Sequence, residues 1–197
     1  MKHLALFDFD GTITRKDTFI EIIRFKSGTL KLGAGMLILS PVLVLYKLKL
    51  IKNWRAKEIM FGFFFKDTPV EAFVRLGVNF SKEILPSLIR PSALAKIREH
   101  QDAGHDIFIV SASAAEWIKP WSDPFGIKVI GTSWEVVDGK ITGKIKGRNC
   151  YGPEKKERIL ERVVPSDYET ISVYGDTSGD REMLTLATQK YYRYFND

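Results

Sequence analysis

The chain has a single cysteine, Cys150, and three histidines, His3, His100 and His105, among its 197 residues. One thiol cannot close an intrachain disulfide, which suits a reducing compartment such as the cytosol. The histidines and the cysteine do not have zinc-ligand spacing. No serine stands in a Gly-x-Ser-x-Gly elbow, and Gly33-Ala34-Gly35 lacks both a preceding strand and the third glycine of a dinucleotide loop. Helix-turn-helix, zinc-finger and aromatic-basic signatures are missing as well. The net charge of +6 therefore reads as a solvated basic face that favours anionic ligands, with no nucleic-acid partner. An apolar strand begins almost at Met1, so a cytoplasmic protein without a cleaved leader is expected. Repeats and low-complexity tracts are absent, and 45% apolar content is enough for one sizeable core plus a smaller insertion.

What is present starts with Leu4-Ala5-Leu6-Phe7, a buried strand that runs into Asp8-Phe9-Asp10-Gly11-Thr12. Two carboxylates two residues apart at a strand end face the same side and form a small negative cup, the environment of a hard cation. Three later segments carry partners to it. Asp106 to Val110 reads as a second strand ending on Ser111-Ala112-Ser113. Ile171 to Tyr174 reads as a third, ending on Gly175-Asp176-Thr177-Ser178-Gly179-Asp180. Between them Cys150-Tyr151-Gly152-Pro153-Glu154-Lys155 leads into a charged helix with a lysine in its first turn. Ligands of open parallel sheets bind at strand carboxyl ends, so these polar ends predict one shared site. Taken singly, each is an ordinary turn or cap signal.

In this order, Asp8-x-Asp10-Gly11-Thr12, Ser111, Lys155 and Gly175-Asp176-x-x-x-Asp180 resemble the motifs of the haloacid dehalogenase superfamily of Mg2+-dependent phosphohydrolases. They resemble most closely its phosphoserine-phosphatase-like branch; within that branch the chain is also similar to the phosphatidylglycerophosphatase C group, which shares the apolar stretch Leu32 to Tyr46. The resemblance implies a three-layer α/β/α Rossmannoid core with a parallel sheet and an inserted helical cap of the C1 type. Residues 1–14 and 91–197 are expected to form the core and 15–90 the cap, with a hairpin at Asp138-Gly139 and a short edge strand around Tyr191 to Phe195. The tyrosines of that strand serve either packing or a dimer face.

The implied activity is phosphomonoester hydrolysis through an aspartyl-phosphate on Asp8, with Asp10 as general acid and base. Lys155 and Mg2+ held by Asp8, Asp176 and the backbone carbonyl of Asp10 would offset the charge of the phosphate, with Asp180 orienting a metal-bound water or Lys155. Gly11, Thr12, Ser111 and Ala112 are the expected phosphate contacts. Lys156 is the alternative lysine. The rival functions are a phosphomutase using the same intermediate and a catalytically weak phospholigand- or membrane-binding protein.

Specificity is expected from the cap, where Asp17, Arg24, Arg55 and the Phe61-to-Phe65 cluster are candidates. Asp17 reads equally as a substrate contact or as the N-cap of Thr18-Phe19-Ile20. Leu32 to Tyr46 carries no charge and lysines bracket it. As a helix it spans about 22 Å at ~1.5 Å per residue, too short for a simple crossing of a ~30 Å hydrocarbon layer, and Pro41 divides it. It is expected either as a buried hairpin within the cap or as an interfacial element in peripheral contact with lipid. The substrate is accordingly a small phosphoserine-like ester or a lipid phosphate.

Overall fold

The computed structural model describes residues 2–197. Strands β1 (His3–Phe7), β2 (Asp106–Ala114), β3 (Lys128–Val137), β4 (Lys140–Lys146), β5 (Thr170–Gly175) and β6 (Gln189–Tyr192) form one sheet in the order β4-β3-β2-β1-β5-β6. All neighbours run parallel except β3 and β4, which are joined by the two residues Asp138-Gly139 as expected. Helices α1 (Thr18–Ile38), α2 (Ser40–Lys47), α3 (Asn53–Phe65), α4 (Val70–Glu83) and α5 (Leu85–Leu88) separate β1 from α6 (Pro91–Asp102). Helix α7 (Ala115–Ser122) follows β2, α8 (Pro153–Leu160) follows β4, and α9 (Arg181–Leu184) follows β5.

Alternation along β1 sends its side chains into two separate cores. Ala5 and Phe7 pack with Ile97 of α6 and Trp117 of α7, while Leu4 and Leu6 pack with Ile159 of α8 and Met183 of α9. Helices therefore cover both faces, giving the three-layer α/β/α architecture that buried parallel strands require. The helical excursion leaves and rejoins through paired backbone: Arg15 N donates to Leu88 O at 2.8 Å, and Arg90 N to Ile13 O at 2.8 Å. At its far side it rests on the β3–β4 hairpin, where Phe61 stacks on Trp134 at 3.3 Å between ring centroids. Such pairs contribute ~0.5–1.5 kcal/mol beyond area burial.

Two strand expectations need correction. β2 does not stop at Val110 but continues to Ala114, with its pairing to β3 irregular between Val110 and Ala114. β6 lies earlier than expected: Arg193, at φ 53°, turns the chain after Tyr192, and Phe195 folds back into the core. Tyr191 stacks on Tyr174 at 4.5 Å, so this tyrosine packs within the chain.

The apolar segment Leu32 to Tyr46 takes in the end of α1 and most of α2. Gly28, at φ 79° and ψ 161°, breaks α1 internally, and α1 and α2 meet at a 61° bend. Of the segment only Leu32, Gly35 and Leu39 are buried, whereas every residue of α2 is at least partly exposed. Among the described residues no single helix is long and apolar enough to cross a membrane.

Candidate active site

The parallel strands β1, β2 and β5 end side by side, which brings residues far apart in sequence to one edge. β1 hands over to Asp8, whose backbone N–H extends the ladder by donating to Tyr174 O at 2.9 Å. Gly152 accepts the N–H of Lys155 at 3.1 Å and so starts α8 with that side chain turned inward. Lys155 Nζ donates to Asp8 Oδ1 at 2.5 Å and to Asp180 Oδ1 at 2.6 Å, and all three side chains are buried. Lys156, the alternative, is partly exposed and donates to Thr185 Oγ1 at 2.9 Å.

Electrostatics hold this group together. Burial alone would lower the Lys155 ammonium, but Asp8 and Asp180 outweigh it and raise its pKa above the ordinary lysine value. Burial pushes the Asp8 carboxyl upward, with Lys155 pulling the other way. Asp176 is raised too, chiefly by burial, with Thr12 opposing the shift by donating to its Oδ1 at 3.0 Å.

Asp180 cannot turn freely. Its Oδ2 accepts from Asp176 N at 3.1 Å, Thr177 N at 2.9 Å and Thr177 Oγ1 at 3.0 Å, which closes a capping box on the turn carrying Asp176. One oxygen thus orients Lys155 while the other shapes the loop.

Asp10 is held separately from this set. Its Oδ1 accepts from Thr18 N at 2.7 Å and Thr18 Oγ1 at 2.5 Å, and its Oδ2 from Ser111 Oγ at 3.2 Å. Thr18 in turn accepts from Trp117 Nε1 at 3.1 Å and lies 3.2 Å from Ser113 Oγ. The first residue of α1 is therefore an anchor for Asp10 that the sequence reading missed. Asp17 just before it caps α1, accepting from Phe19 N at 2.9 Å and Ile20 N at 3.3 Å. Loss of solvation, with the charge of Asp10, pushes its carboxyl up to about 6.

Asp8, Asp10, Asp17, Ser111, Ala112 and Lys155 line one cavity of about 300 Å³. Residues of α2 and α3 roof it: Leu43, Tyr46, Asn53, Ala56, Lys57 and Met60. Lys57 is the second residue missed. It donates to Ala112 O at 2.5 Å, and its pKa is lowered by burial against the pull of Asp10 and Asp17. Its signal was a lone lysine on the face that presents Asn53, Ala56 and Met60 at three- and four-residue spacing.

Other cap candidates lie elsewhere. Arg24 pairs with Glu21 at 2.8 Å and Arg55 with Glu58 at 3.3 Å. Phe61 and Phe65 are buried with Trp134 and Phe73 in the cap–hairpin core. A larger cavity of about 500 Å³ behind Asn53 and Tyr151 holds none of the carboxylate–lysine set.

The donor set fits a hard divalent cation. Carboxylate oxygens of Asp8, Asp176 and Asp180 lie within 4.8 Å of one another, all are hard oxygen donors, and Lys155 offsets only part of their charge. Asp10 contributes no side-chain oxygen to this cluster, since both are engaged by Thr18 and Ser111.

Comparison with known proteins agrees with this architecture. A family model described as haloacid dehalogenase-like hydrolase matches residues 5–185. Protein CicA of Caulobacter vibrioides is 36% identical over 194 residues, covering 98% of this chain and 86% of its own. A phosphoserine phosphatase of Archaeoglobus fulgidus is 25% identical over 195 residues, 94% of this chain and 51% of the relative. The crystal structure of a protein of unknown function from Bordetella pertussis Tohama I superposes with a TM-score of 0.83 at 21% identity, covering 96% of this chain and 89% of the other.

Proposed function

Since the chain belongs to the haloacid dehalogenase-like hydrolase family, we propose that it is a phosphatase that cleaves phosphate monoesters through an aspartyl-phosphate on Asp8. The observation that carries the reading is Lys155, whose ammonium bridges Asp8 and Asp180 at 2.5 and 2.6 Å, with Asp176 alongside. A carboxylate and a phosphate dianion repel, so the pair needs fixed positive charge to react. Likeness to the Archaeoglobus phosphoserine phosphatase supports the same chemistry.

In this mechanism the Asp8 carboxylate attacks phosphorus while the bond to the ester oxygen breaks. Asp10, aimed by Thr18 and Ser111, donates a proton to the departing alkoxide. It then accepts a proton from the water that attacks the phosphoaspartate, which releases inorganic phosphate and restores Asp8. Lys155, the Ser111 hydroxyl and backbone amides around Gly11 and Ala112 hold the transferring oxygens, while Thr12 braces Asp176. Asp8 and Asp176, with the main-chain carbonyl of Asp10, would hold Mg2+, which would supply the remaining positive charge needed beside the phosphoryl oxygens.

Residues 1–14 and 91–197 serve as the catalytic core and 15–90 as the cap, a division supported by the paired crossings at Arg15–Leu88 and Ile13–Arg90. Asp17 and Lys57 then stand where the leaving group enters. Small phosphoserine-like esters and lipid phosphates present the same dianion to this pocket, and both belong to the proposed substrate range. The single buried cysteine suits a cytoplasmic enzyme.

Release of phosphate from p-nitrophenyl phosphate, with Mg2+ and with chelator, tests the reading. Activity is expected with Mg2+, to vanish on chelation, and to be lost in Asp8→Asn. Full activity in an Asp8→Asn protein shown by mass spectrometry to be free of deamidation overturns it.

A further inference from the structure

Among the described residues, strongly exposed aliphatic side chains gather on the segment that roofs the catalytic cavity. Leu30 is 91% exposed, Leu37 76%, Ile38 63%, Val44 54%, Leu48 63% and Leu50 69%. These side chains belong to the second half of α1, to α2 and to the turn after it. Soluble chains rarely leave so many neighbouring leucines in water unless a partner covers them. Helix α2 also supplies Leu43 and Tyr46 to the cavity, so what covers this surface sits at the mouth of the site.

Charge identifies the partner. From Ile22 to Lys57 the sequence contains no acidic residue and eight basic ones, Arg24, Lys26, Lys31, Lys47, Lys49, Lys52, Arg55 and Lys57. Lys31, Lys47, Lys49 and Lys52, which bracket the leucines, are exposed. Exposed leucines edged by lysines match an anionic lipid surface, where the apolar groups enter the acyl boundary and the ammonium groups meet headgroups.

Length and composition would let the bent α1–α2 pair reach into a bilayer, but the burial of its first part argues for a shallow seat. The first part of α1 is fixed in the protein by Thr18, Phe19, Ile22 and Ile23, all buried, and Gly28 breaks the helix behind them. Only the stretch from Thr29 to Ile38 can leave the protein as one rod, about 15 Å at ~1.5 Å per residue. That is half of a ~30 Å hydrocarbon layer, and α2 bends away by 61°.

We propose that the α1–α2 corner docks on an anionic lipid bilayer in the plane of its headgroups and opens the catalytic cavity toward phosphate monoesters carried by that surface. This rests on the phosphatase reading for its substrate, but the docking itself does not depend on catalysis. A lipid phosphomonoester can reach Asp8 without leaving the layer, because α2, which lies along the boundary, also supplies Leu43 and Tyr46 to the cavity that holds its phosphate.

The test combines vesicle sedimentation with two activity assays on the full chain and on Leu37→Glu/Leu48→Glu, neither position lining the cavity. The vesicles are phosphatidylcholine alone, or phosphatidylcholine with 30% phosphatidylglycerol. The wild type is expected to sediment with the anionic vesicles and to be released by high salt. The double variant should bind at least tenfold more weakly while hydrolysing p-nitrophenyl phosphate as before. Phosphatidate in vesicles should be hydrolysed by the wild type and at least tenfold more slowly by the variant. If an active wild type ignores both vesicle types, or if it is a dimer that the two substitutions split into monomers, the docking is overturned and the phosphatase survives. Vesicle binding by a protein inactive on every ester overturns the phosphatase and leaves the docking.

Discussion

Lys57 Nζ, on the roof of the cavity, donates to the backbone carbonyl of Ala112 in the last residues of β2, at 2.5 Å. This bond ties the helical cap to the strand end that carries Ser111. A lysine held there, with its ammonium close to Asp10 and Asp17, both closes the cavity and sets its charge. Removing a charged hydrogen-bond partner of this kind costs roughly 1.5–3 kcal/mol.

Lys57→Met should therefore lower kcat/KM by about 10- to 100-fold on that scale, mostly through KM, because the chemistry at Asp8 is untouched. Steady-state kinetics on p-nitrophenyl phosphate and on a bulkier ester check this. An unchanged KM for both would show that the lysine only decorates the rim.

Lys155 and Lys156 are neighbours in sequence with opposite surroundings. Lys155→Ala leaves Asp8 and Asp180 facing each other without their cation, and breaking a buried pair in this way costs about 3–5 kcal/mol. Loss of turnover and a lower urea midpoint are both expected. Lys156→Ala touches only Thr185 on the surface and should change stability by no more than about 0.5 kcal/mol. Equal loss of activity in the two variants would contradict the inward placement of Lys155.

Gly11 stands at φ 87°, and a Cβ on it would lie within van der Waals overlap of Asp176 Oδ2. Gly11→Ala combines left-handed strain, about 1–2 kcal/mol, with displacement of a carboxylate assigned to the cation. The Mg2+ concentration for half-maximal activity should rise about tenfold or more, an effect of the same ~1.4 kcal/mol order. A Mg2+ titration of activity measures it, and an unshifted midpoint in a folded variant would remove Asp176 from the cation site.

The sheet and the acidic edge were legible because their determinants are local. Leu4 to Phe7 is a continuous apolar run and Ile171 to Tyr174 one broken only by Ser172, they are followed by Asp-Gly and Gly-Asp turns, and a parallel sheet leaves such ends nowhere to go but one edge. Lys57 and Thr18 escaped notice because their roles come from how the cap docks. Nothing beside Thr18 in sequence says that Asp10 lies under its N–H. Phe61 and Phe65 were misjudged for the same reason: their partner Trp134 sits on a distant hairpin, and aromatic content alone does not distinguish a core from a pocket wall. The edge strand β6 slipped because Tyr191 to Phe195 satisfies a strand pattern in two registers, and the turn at Arg193 decides between them.

The three histidines dismissed as zinc ligands nonetheless meet. His100 Nδ1 lies 2.8 Å from His105 Nδ1, His100 Nε2 lies 3.0 Å from Tyr174 Oη, and His3 stacks on His105 at 4.6 Å. Burial, then the neighbouring His105 and Lys96, push His100 down to about 4, against weak support from Glu99. In the unfolded chain it titrates near 6.5. Between those values the unfolded state binds a proton that the folded state refuses, so stability falls as pH drops from about 6.5 to about 4 and His100 adds no further loss below. The contribution has a ceiling of about 3.4 kcal/mol, reduced by solvent screening. Urea unfolding of the wild type and of His100→Gln, at pH 7.5, 5.5 and 4.2, isolates it, because the buried carboxylates are common to both proteins and cancel. The variant should lose less stability than the wild type across that window, although it starts lower at pH 7.5 if the Tyr174 contact weakens. Parallel curves for the two proteins would mean that His100 is protonated in the folded state as readily as in the unfolded one, and that the cluster does not act on stability through its charge.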